Sequence, residues 1–401
     1  MKGDEVIGRR SCAALLRMIA LGLGALTAFA ASATPYRPVD ERTVLERVPE
    51  RSELERLAPL RAAVAARPGD LTAALALATG YISIGRRNSD PRFVAYAQAT
   101  LAPWLAQPHP SEPVLVLQAT ALQYLHRFDE ALTLLQRALA LQPLDGQAWL
   151  TRAALLELRG DYGAARRACA RLVRSADEFT ALTCLKSVDG RNGQLAASYA
   201  ALVSTDLDPR LPAALRAWRL AVAAEMAERL GADQAAEADL SAALRAAPDD
   251  PYLKATYADQ LLRLGRPQEV ITLLKGCEAQ DALLLRLAIA ARHLGSADAE
   301  RWAAAYAQRL AAAQRDRDNS HQRELALYLL DVRGDAQLAL QAAASNWVVQ
   351  REPTDVRVYA RAALQAHSRP DREVIAGWLA ANRYEDRTLP TLSTDSAEHP
   401  L

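Results

Sequence analysis

A 34-residue period constrains this 401-residue chain more than any other feature. Leu115, Ala119, Leu122, Phe128, Ala131 and Leu135 return 34 positions later as Trp149, Ala153, Leu156, Tyr162, Ala165 and Cys169. The step recurs downstream, where Ala224, Gly231, Ala236, Leu240 and Ala243 are followed by Ala258, Gly265, Val270, Leu274 and Cys277. Turn residues divide each unit, Arg127 with Asp129 in one and Gly160-Asp161 in the next, and Pro143 and Pro248 close two of them. Within each half the apolar residues fall three or four apart, which lines one face of an α-helix. Each unit therefore reads as helix, turn, helix and stop, with helices of about 14 residues. Such a unit cannot bury its apolar face alone, so copies must stack into an array.

The small residues Ala119, Ala131 and Ala138, the large Leu115, Leu122, Phe128 and Leu135, and the closing Pro143 resemble the tetratricopeptide repeat. Weaker copies extend the pattern both ways. Leu77, Ala78, Tyr81 and Gly85 fit an earlier unit, residues 178–210 a degenerate one turning at Gly190 and Gly193, and Leu287, Ala288, Ala291 and Gly295 a later one. Leu325 to Leu330 with Ala339 to Trp347, and Val356 to Ala366 with Val374 to Leu379, read as two closing helical pairs. No stretch alternates with the two-residue period of a sheet. The resemblance implies an all-α, right-handed α-solenoid of helix-turn-helix repeats. The expected division is a lead segment over 34–59, the repeat array over 60–314, degenerate helical repeats over 315–383 and a disordered tail over 384–401.

Residues 1–33 read as a signal peptide. Arg9, Arg10 and Arg17 precede an uncharged run from Met18 to Ala31, and Ala31-Ser32-Ala33 has the small-x-small form of a cleavage site. That run is about 14 residues, short of the roughly 20 that span a bilayer. A mature chain starting at Thr34 in the periplasm is the expectation, with Ala28-Phe29-Ala30 as a competing site and an uncleaved anchor as the alternative. Cys169, Cys184 and Cys277 remain after Cys12 is removed. Cys169 and Cys184 fall on adjacent helices, so a bridge between them is geometrically open; three buried cysteines acting as small apolar fillers is the plainer reading.

Composition narrows the partners. Lys and Arg number 48 against 47 Asp and Glu, a formal net charge of +1, which supplies no overall field for nucleic acid. A membrane enters only if the leader stays uncleaved. The six histidines are scattered without metal-ligand spacing, and His321 with Glu324, one helical turn apart, has no HExxH companion. Asp316 to Asn319 lacks the Gly and Glu of a calcium loop. There is no GxSxG, Walker lysine or GxGxxG, so the expectation is a protein without catalytic residues, metal or cofactor.

The resemblance also implies a use. In such arrays the first helix of each unit lines a concave groove that takes a protein or peptide segment. The groove positions here carry Gln123, Tyr124, Gln147 and Glu157, then Trp218, Glu225, Glu228, Tyr252, Asp259 and Arg263. Carboxylates and aromatics dominate the later half, in place of the Lys, Arg and Asn with which the family's peptide clamps grip a carboxylate, so a neutral or basic partner is expected. Trp149 sits at a core-facing place and reads as packing. The function implied is an exported, non-catalytic scaffold or adaptor for envelope proteins. The alternative is a membrane-anchored assembly component of a secretion, cytochrome or cell-wall biogenesis complex.

Overall fold

The structure, a computed structural model, describes residues 51–205, 208–315 and 321–392. The leader over 1–33, the calcium-like Asp316 to Asn319 and the last residues of the expected tail lie outside the described residues. A lead helix, α1 (Arg51–Ala66), is followed by α2 (Leu71–Asn88) with α3 (Pro91–Leu105), α4 (Glu112–Tyr124) with α5 (Phe128–Leu141), and α6 (Gly146–Leu158) with α7 (Tyr162–Ser175). Next come α8 (Glu178–Gly190) with α9 (Leu195–Val203), α10 (Ala213–Arg229) with α11 (Asp233–Ala246), and α12 (Pro251–Arg263) with α13 (Pro267–Leu273). The series closes with α14 (Asp281–Leu294) and α15 (Asp298–Arg315), α16 (Gln322–Tyr328) and α17 (Ala336–Val349), then α18 (Pro353–Gln365) and α19 (Arg369–Asn382). A short π-turn, Leu329–Arg333, ends α16. Among the described residues there is no strand.

Local chemistry starts and stops these helices. Asp70, Asp90, Asp145, Asp161, Asp177, Asp250 and Asp335 each stand at an N-cap and accept a hydrogen bond from a backbone N–H two or three residues on. Each such cap contributes about 1 kcal/mol. Every intra-pair turn carries one left-handed residue, in order Ser89, His126, Gly160, Gly193, Gly231, Gly265, Gly295, Gly334 and His367. One left-handed residue reverses the chain between the two helices and satisfies carbonyls of the last turn.

The period becomes packing through its small residues. Ala119, Ala131, Ala138, Ala153 and Ala165 are wholly buried and let paired helices approach, while Leu115, Leu135, Leu155 and Leu172 fill the seams. Burying one such leucine contributes roughly 1.5–3 kcal/mol. Each first helix packs on its own second helix, and each second helix on the first helix of the next pair, except between α15 and α16, where α14 packs on α16 instead. The result is an all-α solenoid of tetratricopeptide-like pairs. α1 extends it backwards into the expected lead segment, with Leu57 buried in the space that a side chain at Gly80 would need.

The earlier and later halves of this array meet. α12 touches α2, and Gln280 Nε2 donates to the Arg87 carbonyl at 2.9 Å. The His126 ring stands 6.5 Å from that of His321. Arg351 N–H donates to the Leu158 carbonyl, and Trp378 packs 6.2 Å from Tyr162. Arg387 N–H donates to the Arg229 carbonyl at 2.8 Å. The later half thus meets one intra-pair turn after another of the earlier half. Within the loose tail expected over 384–401, the described residues up to 392 are packed: Tyr384 is buried, and the Asp386 side chain is fully enclosed beside Arg357. Packing against turns far away in sequence orders residues whose own composition is that of a tail.

Candidate functional site

The first helices α4, α6, α10 and α12 carry the groove residues expected from the sequence. Glu157, Glu225 and Glu228 stand at the ends of α6 and α10, and the structure brings them together with arginines. Arg191 pairs with Glu157 at 3.3 Å and with Glu225, and Ser187 donates to Glu157 at 2.6 Å. Arg229, fully buried, reaches Glu225 at 3.3 Å and donates to the Gly190 carbonyl at 2.8 Å. Glu228 is shared by Arg263 and Arg357, each at 3.0 Å. Arg263 also pairs with Asp233, and Asp259 is held bidentate by the buried Arg286 at 2.7 and 2.8 Å.

Burial raises the Glu157 carboxyl above its ordinary value, despite Arg191 and the Ser187 hydroxyl. Burial also acts on Glu225, but the charges of Arg191 and Arg229 outweigh it and hold the carboxyl below its ordinary value. The acids that looked available from the sequence are therefore matched within the chain.

The remaining positions differ. Tyr124 OH donates to the Gly85 carbonyl at 3.2 Å, Gln123 is half-buried, and exposed Gln147 bonds Thr151 at 3.1 Å. Trp218 is half-buried against the cluster that holds Cys169 and Cys184. Tyr252 keeps 54% of its surface free on the first turn of α12, yet the Glu352 carboxylate and burial among neighbouring pairs push its hydroxyl pKa up. An aromatic ring is thus both accessible and surrounded.

Cys169 on α7 and Cys184 on α8 are joined in a disulfide, with Cα atoms 5.6 Å apart. The bridge ties the third pair to the fourth beneath Trp218. Cys277 is free and half-buried, with Lys254 Nζ 3.7 Å from its sulfur.

His321 and Glu324 do sit at the start of α16. Burial would raise Glu324, but Arg323, Arg286 and His321 bring it down to about 2. Among the described residues no group of three potential metal ligands is gathered. Sequence reasoning missed Arg191, Arg229, Arg357 and Tyr384. The signal for the first was present, because Glu157, Arg191 and Glu225 follow one another at the 34-residue step.

No family model matches the chain, and no curated protein matches it. Among solved structures the chain is similar to one titled "Crystal structure of APC/C hetero-tetramer Cut9-Hcn1", with a TM-score of 0.39 and 15% identity. The match covers 77% of this chain and 52% of that one, so the chain spans about half the length of the solved protein. At that TM-score the likeness bears on neither partner nor activity, and the tetratricopeptide-like reading rests on the helix pairs themselves.

Proposed function

We propose that the protein is an exported, non-catalytic interaction scaffold whose first helices hold a segment of an envelope protein. Tyr252 is the observation that supports this most. It is a large aromatic left 54% exposed on a first helix, among neighbours whose charges are already paired. Exposed aromatics of this kind are frequent anchors in protein interfaces. Because Glu225, Glu228 and Asp259 are matched by arginines, a neutral segment gains more here than a strongly charged one. Export is supported by the Arg9 to Ala33 leader pattern and by the Cys169–Cys184 bridge, which persists in an oxidising compartment.

A photo-crosslinking residue at Tyr252 or Gln147, compared with one at Gln136 on the outward side of α5, tests the assignment in cells. The expected result is one common partner captured in near-stoichiometric yield from both inner positions and absent from the third. Identical captures from all three positions, or none from the inner two, would overturn it. Mass spectrometry of the same material reads the N-terminus. A start at Thr34 agrees with a soluble exported chain, whereas an intact leader in the membrane fraction favours the anchored assembly factor.

A further inference from the structure

One edge of the solenoid, formed by the intra-pair turns, is met by the later half of the chain. The opposite edge, where second helices end and the next pair begins, carries a different surface. Leu141 ends α5 at 59% exposure, Leu144 in the following loop is also 59% exposed, and Val173 on the last turn of α7 is 65% exposed. Val203 continues the series at the end of α9, 52% exposed. Single exposed aliphatics are ordinary on a protein surface, but these gather near the ends of successive second helices, though not at one repeat position.

Two contacts make the first three one continuous corner. The indole of Trp149 donates to the Pro143 carbonyl at 2.9 Å while Arg171 lies over its ring at 5.8 Å, joining the loop of Leu144 to α7. Gly146 abuts the Ser175 carbonyl closely enough to leave no room for a side chain, which sets the end of α7 beside the same loop.

Guanidiniums frame this corner. α7 contains Arg166, Arg167, Arg171 and Arg174 and no acid. Arg166 is taken by Asp189, while Arg167, Arg171 and Arg174 follow at i, i+4 and i+7 on one exposed stripe. Arg137 stands one turn before Leu141 on α5 and is exposed. Against them stand three carboxylates, those of Asp145 and Asp177, which cap the N–H groups of Ala148 and Thr180, and that of the exposed Glu178, while Glu112 shares its proton with Asp145. A protruding corner of aliphatics ringed by arginines offers no groove to a peptide. It does match the boundary of a lipid bilayer, where aliphatic side chains enter the acyl region and guanidiniums meet anionic headgroups.

We propose that this edge docks the protein peripherally onto an anionic lipid bilayer, with Leu141, Leu144 and Val173 entering the interface and Arg137, Arg171 and Arg174 on the headgroups. Flotation of the purified chain with vesicles of phosphatidylcholine, alone or with about one third phosphatidylglycerol, tests it. Binding should be at least about tenfold stronger to the anionic vesicles and should weaken in about 0.5 M NaCl. Arg137→Gln with Arg174→Gln, and separately Leu144→Asn with Val173→Asn, should each reduce that binding about tenfold at unchanged melting temperature. Equal binding to both vesicle types would overturn the proposal and assign adhesion to the N-terminal apolar segment. Unchanged binding of the arginine variants, or retention only on membranes that still carry protein, would also overturn it.

Discussion

Arg229 lies over the ring of Tyr384, its guanidinium carbon 4.2 Å from the ring centroid, and so ties the fifth helix pair to the chain beyond the ninth. The same guanidinium donates to the carbonyls of Gly190 and Glu385. A wholly buried cation is tolerated because its donors meet Glu225 and two backbone oxygens and its face meets an aromatic ring.

Tyr384 is held there by its ring and not by its hydroxyl, which is buried without a hydrogen-bond partner. Tyr384→Phe should therefore be neutral or stabilising by up to about 1 kcal/mol, whereas Tyr384→Ala should cost about 3–5 kcal/mol. Urea denaturation of the two variants decides it; a larger loss for Phe than for Ala would contradict this account.

Glu225 stands between Arg191 and Arg229. Glu225→Gln leaves two buried guanidiniums short of a counter-charge and should cost about 3–5 kcal/mol. Combining it with Arg191→Met should recover part of that loss, a non-additivity that a double-mutant cycle would reveal.

The Cys169–Cys184 bridge closes a loop of 15 residues, a length for which chain entropy gives about 3 kcal/mol. Reduction, or the double Ser substitution, should lower the unfolding free energy by about that amount, and Cys277→Ser should leave it nearly unchanged. A denaturation midpoint insensitive to reductant would show that the bridge contributes nothing.

His126 supplies a pH dependence. Burial first, then the charge of Arg323, lowers its imidazole to about 4, with Glu324 and Glu352 pulling weakly the other way. The unfolded chain takes up a proton near pH 6.5 that the folded chain refuses until about 4, so this contribution is complete above 6.5 and is lost as pH falls through that window. Asp355 acts oppositely, since burial lifts it to about 7 and its protonation recovers stability as pH falls below that value. His126→Asn isolates the first effect, because Asn accepts the left-handed backbone at φ 56° without titrating. Between pH 6.5 and 4 the variant should lose less melting temperature than the parent; parallel curves would refute the assignment.

Gly265 has φ +70° and open space around its missing side chain. Gly265→Ala should therefore cost about 1–2 kcal/mol from backbone strain alone, and Gly265→Asn less. Equal stability of the Ala variant and the parent, measured by thermal melting, would remove the strain argument.

Much of this architecture is legible in the residues. The 34-residue return of small and large apolar positions, the aspartates that cap seven of the helices and the glycines at Gly160, Gly231 and Gly265 are local signals that act within one helical turn or one pair. Local geometry depends on near neighbours, so the sequence by itself determines the pairs, their boundaries and their stacking. What the groove positions do is decided elsewhere. Glu225 and Glu228 look solvated when α10 is read alone, and only tertiary packing brings Arg191, Arg263 and Arg357 against them. Tyr384 and Asp386 likewise look like a tail until Arg229 and Arg357 receive them. A repeat pattern specifies how neighbours stack, but whether distant turns meet depends on small angles summed along the whole array, which no single residue encodes.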